Sequence, residues 1–133
     1  MTGLLTPELR AALRLAATHD AGDKRPLVKF FNPLGAATWL ASELGEDGDT
    51  LFGLADLGFG CPELGYFSLH EIAALRLPFG LRIERDLIFS TTHSLSVWSA
   101  WSRKAGSILT AEALLRRASA TAAELTNGFP PSG

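Results

Sequence analysis

The chain of 133 residues has a single cysteine, Cys61, which rules out an intramolecular disulfide framework and a multi-cysteine zinc site. It also lacks a long apolar run. The longest charge-free stretch, Leu87 to Ser102, is interrupted by Ser90, Thr91, Thr92, His93, Ser94 and Ser96, too hydroxylated and too short for a bilayer span. The first residues, Met-Thr-Gly-Leu-Leu-Thr-Pro-Glu, have no basic start and no apolar core of a secretory signal. These absences predict a soluble, cytoplasmic protein with no membrane partner. The three histidines, His19, His70 and His93, are scattered without a ligand spacing, so no metal is expected. Gly58-Phe59-Gly60 has Glu63 where a dinucleotide fingerprint needs glycine and opens no βα unit, so no organic cofactor is expected either.

The most uneven absence is of positive charge. Residues 30–75 contain no Lys or Arg but seven acids: Glu43, Glu46, Asp47, Asp49, Asp56, Glu63 and Glu71. A segment of one sign repels phosphates, which argues against nucleic acid as a partner. Basic residues flank it on both sides, so two readings stay open: the flanks fold onto the acidic middle, or the middle forms an acidic face for a basic partner.

What is present is globular in composition, 47% apolar and 20% charged. The length suits one domain over residues 1–128, with 129–133 as a frayed tail. Thr6-Pro7-Glu8 predicts a helix start, with Leu9, Leu13 and Ala16/Ala17 at helical spacing up to His19 or Asp20. Residues 27–31, 37–43 and 50–55 read as strands, the last two joined by a hairpin turn at Asp47-Gly48. Ser68-Leu69-His70-Glu71 fits a capping box opening a short helix to Arg76. Gly80 releases a strand from Leu81 to Phe89, and residues 90–102 suit either helix or strand. Thr110 caps a last helix whose stripe is Ala111, Leu114/Leu115, Ala118, Ala122 and Leu125, stopped at Asn127-Gly128. The predicted architecture is α+β: an antiparallel sheet of about four strands packed with helices from both ends of the chain.

No constellation is diagnostic of catalysis. On the strand from Leu81, alternation puts Ile83, Arg85 and Leu87 on the core side and Glu84 and Asp86 on the other. Arg85 then needs a partner, for which Glu63 and Glu71 are the candidates. Glu84 and Asp86, both expected to face water, lie about 7 Å apart along the strand, a separation that paired carboxylates use in acid–base chemistry and that any strand also gives. Cys61 with His70 is the one thiol–imidazole pair, without a family spacing. Glu46-Asp47-Gly48-Asp49 lacks the alternation of a calcium loop and reads better as a turn. Trp98 and Trp101, in a serine-rich stretch, either pack back on the sheet or form an interface.

Leu4-Leu5-Thr6, Val28-Lys29-Phe30-Phe31, Thr38-Trp39, Glu63 to Leu69 and Gly80-Leu81 with Ile83 to Leu87 resemble a family of small bacterial proteins defined only as a domain of unknown function. The resemblance covers residues 4 to 98, departs at Leu40, where a second aromatic is expected, and leaves the tail from Arg103 outside. It implies bacterial origin, an α+β fold and carriage on plasmids and other mobile elements, and it lends no catalytic residue. The functional expectation is a non-enzymatic interaction protein acting through a protein partner or self-association, with Trp98, Trp101, Glu46, Asp47 and Asp49 as candidate contacts. The alternative is a small hydrolase or transferase using Glu84 and Asp86 beside Tyr66.

Overall fold

The computed structural model describes residues 3–19 and 22–127, with side chains as far as residue 122. The expected tail 129–133 and Gly128 of the expected helix stop lie outside the described residues. Helix α1 (Pro7–Thr18) starts where its capping residue dictates: the Thr6 hydroxyl accepts the Leu9 N–H at 3.1 Å, and Pro7 occupies a position with no N–H to lose. Then follow β1 (Val28–Phe31), β2 (Thr38–Leu44), β3 (Thr50–Asp56), β4 (Glu63–Ser68), α2 (Leu69–Ala74), a 3₁₀ turn at Pro78–Gly80, β5 (Glu84–Arg85), α3 (Leu95–Ala105) and α4 (Ile108–Asn127). The strands form one antiparallel sheet in the order β4-β3-β2-β1-β5. The protein is α+β, with helices from both ends of the chain on the sheet.

Strand alternation sends alternate residues to two helical layers. Val28 and Phe30 of β1, Trp39 and Ala41 of β2 and Leu51 of β3 meet Leu13 of α1 with Leu69 and Ile72 of α2. Leu40 and Leu54 point the other way, onto Leu95 and Trp98 of α3 and Ile108 and Leu115 of α4. A bulge in β2 between Ala41 and Glu43 shifts the phase by one residue, which returns Leu44 to the first layer.

Five strands are present where about four were expected. The one missed is β4, whose Gly65 weakens any strand reading from sequence. Gly65 lies opposite Gly53 in the β3–β4 ladder. Conversely, the strand expected over Leu81–Phe89 shrinks to Glu84–Arg85, because β1 offers it only Phe30 and Phe31. Beyond it the Asp86 side chain accepts the Ile88 N–H at 3.1 Å and turns the chain away. Leu87, expected in the core, is consequently 78% exposed.

Residues 95–105 are helical, with the Ser94 hydroxyl accepting the Val97 N–H and Gly106 closing the far end at φ 84°. The last helix begins at Ile108 rather than after Thr110. Ser107 accepts the Thr110 N–H at 3.0 Å, and the buried Asp56 carboxylate accepts the Ile108 N–H at 2.9 Å. Only Ala111 and Leu115 of the predicted stripe are buried. Leu114, Ala118 and Ala122 are exposed, and the Leu125 side chain lies outside the described residues. A helix of this length runs about 30 Å, whereas its neighbour α3 runs about 16 Å, so the second half outruns its support.

Gly53 sits under the β2 bulge, where an added Cβ would lie 1.7 Å from the Leu40 carbonyl oxygen and 2.8 Å from the Ala41 Cα. Gly53→Ala is therefore expected to cost at least about 3 kcal/mol by displacing backbone. Gly65→Ala, with nothing within 4 Å of its Cβ, should change stability by less than about 1 kcal/mol. Denaturant midpoints of the two variants check the contrast.

Candidate functional site

β5 and its flanks concentrate the charged side chains. Lys29 lies in the run Val-Lys-Phe-Phe and is placed by alternation on the α3/α4 side, opposite Val28 and Phe30. It is 7% exposed and neutralised twice: its Nζ donates to Glu112 Oε1 of α4 at 2.7 Å and pairs with Asp86 Oδ2 at 3.5 Å. The Phe31 ring lies 5.9 Å from the ammonium, and Arg116 extends the chain of charges to Glu112 at 3.9 Å. The Asp86 N–H also donates to the Lys29 carbonyl at 2.9 Å. The expectation that Asp86 faces water is corrected: it is on the predicted side of the strand, but that side meets a buried lysine. Glu84, two residues earlier, is exposed and makes no ion pair among the described residues.

Arg85 is on the core side with Ile83, as strand parity requires. Its partner is not a carboxylate. Nε donates to the Leu4 carbonyl at 2.8 Å, and neither Glu63 nor Glu71 pairs with it. The segment before α1 passes under β5 and presents a backbone oxygen first; Glu63 opens β4 at the far edge of the sheet. Two grooves flank β5. One of about 420 Å³ lies beside Lys29, Asn32, Thr38 and Asp86, and one of about 650 Å³ lies between α2 and β5.

The acidic turn Glu46-Asp47-Gly48-Asp49 is a hairpin turn with Gly48 at φ 69°. Asp47 is used within it. The Thr50 hydroxyl, the Thr50 amide and the Asp49 amide all donate to its carboxylate, and together they hold its pKa down at about 2. Asp49 instead builds the start of α2: Oδ1 accepts the His70 N–H and pairs with His70 Nδ1, both at 2.7 Å, while Oδ2 accepts the Ser68 hydroxyl at 2.7 Å. The His70 amide, then the Ser68 hydroxyl and the His70 ring, lower its pKa. Ser68 caps α2 through the Glu71 N–H at 3.1 Å, as its motif predicts, and the carboxylate that joins it at the helix start is Asp49, from the hairpin turn before neighbouring β3, rather than Glu71. Of the turn's candidates for partner contact, only Glu46 is left exposed and unbonded.

The tryptophan pair divides. Trp98 is 3% exposed, its Nε1 donating to the Thr91 hydroxyl at 3.1 Å and its ring 6.1 Å from Phe89, so it packs in the core of this chain. Trp101, one turn along, is 38% exposed. Tyr66 lies on β4, at the opposite edge from Glu84 and Asp86. Four inter-strand steps, about 19 Å, separate them. Cys61 is exposed before β4 and His70 lies beyond its other end, about 20 Å of strand apart, so they do not meet. His93 borders the Trp98 region and lies 3.5 Å from Ser119; His19 ends α1.

Sequence reading missed Lys29, Asp56 and Glu112. A lone charge inside an apolar strand run is the signal that flags Lys29; its partner Glu112 is 83 residues distant and carries none.

A family model described as a protein of unknown function, DUF2958, matches residues 4–109. The chain belongs to this family. The DUF2958 match includes Arg103 to Leu109, which the resemblance had left outside, and so takes in α3 and the start of α4. Lys29, Asp56, Asp86 and Arg85 fall within it; Glu112 lies beyond. No curated protein and no solved structure matches the chain. Among the described residues, no helix is long and apolar enough to cross a membrane.

Because Asp47 and Asp49 are held below the ordinary carboxylate value of 3.8, the stability they contribute is complete above that pH and is lost as pH falls below it, for Asp47 toward about 2. Unfolding midpoints measured from pH 5 to pH 2 are expected to drop, and Asp49→Asn should flatten the drop. An unchanged slope in Asp49→Asn would show that the cluster does not carry it.

Proposed function

We propose that the protein works by binding another protein, which adds an extended segment to the open edge of β4. The observation that carries this reading is the edge itself. β4 is six residues long, pairs with β3 alone, and ends the sheet. An edge of that length offers unpaired backbone groups to an incoming strand, and natural proteins ordinarily blunt such edges with lysine, proline or a covering element. β4 contains neither lysine nor proline. It displays Tyr66, 77% exposed and packed at 5.1 Å on Phe52, with exposed Leu64 on the strand and Leu57 and Phe59 in the loop leading into it.

Charge points to a basic segment. Glu63 at one end of β4, with Glu46 and Glu71 at the other, are exposed and make no ion pair among the described residues. The same acids disfavour nucleic acid at this edge. Self-association of two β4 edges is the second form such binding takes. A cytoplasmic setting, a bacterial host and carriage on mobile elements belong to this proposal, resting on the single cysteine and on the family resemblance. The hydrolase or transferase alternative gains no support, since Tyr66 is remote from Glu84 and Asp86, and Asp86 is committed to Lys29.

The test is affinity purification from the native host, with light scattering on the pure protein. A partner or a dimer is expected that Leu64→Lys/Tyr66→Lys releases while the unfolding midpoint holds within about 1 kcal/mol. A partner retained by the double variant, or a monomer that captures nothing, would contradict the proposal.

A further inference from the structure

We infer that the groove between α2 and β5 binds a small oxyanion with an apolar body, read by Arg82 and Arg85 with His70 beside them. The groove, about 650 Å³, is of ligand size. None of its lining residues belongs to β4, so the inference is independent of the strand-addition reading.

The case rests on how the two arginines are held. Arg82 Nη1 donates to the Ala73 carbonyl at 3.2 Å, and Arg85 Nε donates to the Leu4 carbonyl at 2.8 Å. A carbonyl orients a guanidinium without neutralising it, and the group stays charged at any physiological pH. Neither arginine makes an ion pair among the described residues, whereas Lys24 and Lys29 do. Arg10 and Arg14 are also bonded to carbonyls, but they lie against the acidic hairpin turn. Arg85 thus keeps both Nη groups, and Arg82 keeps Nε and Nη2, as oriented donors of the fork that suits carboxylate or phosphate.

His70 adds a third polar group. Its Nδ1 is fixed on Asp49 at 2.7 Å, which holds the ring and leaves Nε2 unbonded. The one carboxylate among the residues lining the groove is Glu84, which is exposed. Two cations against one rim carboxylate leave the groove positive. Leu4 and Ile83 supply apolar wall, which a ligand body would cover together with the otherwise exposed Leu87.

The test is an NMR titration of the full chain with phenyl phosphate and with benzoate, using benzyl alcohol as the neutral control. Saturable shifts of the His70 ring and of the Ala73 and Ile83 amides are expected with an oxyanion and not with the alcohol. Whichever oxyanion binds more tightly identifies the head group as phosphoryl or carboxylate. Arg82→Gln, at an exposed position, should keep the fold and weaken binding about tenfold, as should Arg85→Gln. Arg25→Gln, outside the groove, should leave it unchanged. Equal shifts with benzyl alcohol, wild-type affinity in Arg82→Gln, or no saturable shift at millimolar ligand would overturn the inference.

Discussion

The buried ammonium of Lys29 is the constraint around which one side of the fold is arranged. It sits in the inner strand β1, on a face otherwise lined by Leu40 and Leu54, and it has to be neutralised there. Glu112 comes from the second turn of α4, and Asp86 from the chain just after β5. One lysine therefore fixes the C-terminal helix and the edge strand onto the same point. Asp56 performs a similar task from β3: its carboxylate receives the Gly58 and Ile108 N–H groups, so α4 is anchored in its first turn by Asp56 and in its second by Lys29. Beyond those anchors, among the side chains described up to residue 122, only Leu115 is buried.

The two edges of the sheet are treated differently by the same chain. At β5 the ladder is cut to Glu84 and Arg85, Asp86 follows the strand, and the backbone turns away at Ile88. At β4 six residues are left with a free side and an exposed tyrosine. The acidic middle of the chain is likewise divided. Glu43 pairs with Lys24, Asp49 with His70, Asp47 serves its own turn and Asp56 the start of α4, while Glu46, Glu63 and Glu71 stay exposed. Unblunted edge and unspent acid coincide at β4, which is why binding of a basic extended segment is assigned there.

Features written locally were legible. Thr6 and Ser68 cap the helices their motifs predict, Asp47-Gly48 makes the hairpin turn, and the parity of residues 83–86 puts Arg85 on one face and Asp86 on the other. Features set by distant partners were not. Arg85 was expected to need a carboxylate, yet a carbonyl from residue 4 satisfies its Nε. Asp86 was expected in water because Lys29 and Glu112 are joined only by the fold. β4 was missed because Gly65 interrupts its strand pattern, and Trp98 was ambiguous because Thr91 and Phe89 enclose it only once α3 has packed. Of the candidate groove, the sequence shows its arginines but not that carbonyls hold them.

The central claim is that Lys29 clamps α4 and β5 to the sheet, and a stability cycle tests it most directly. Lys29→Met strands the Glu112 and Asp86 carboxylates and should cost about 3–5 kcal/mol. Adding Glu112→Leu removes the more buried of the two stranded charges, so Lys29→Met/Glu112→Leu should recover most of that loss in the denaturant midpoint. A Lys29→Met protein within about 0.5 kcal/mol of the parent would contradict the claim.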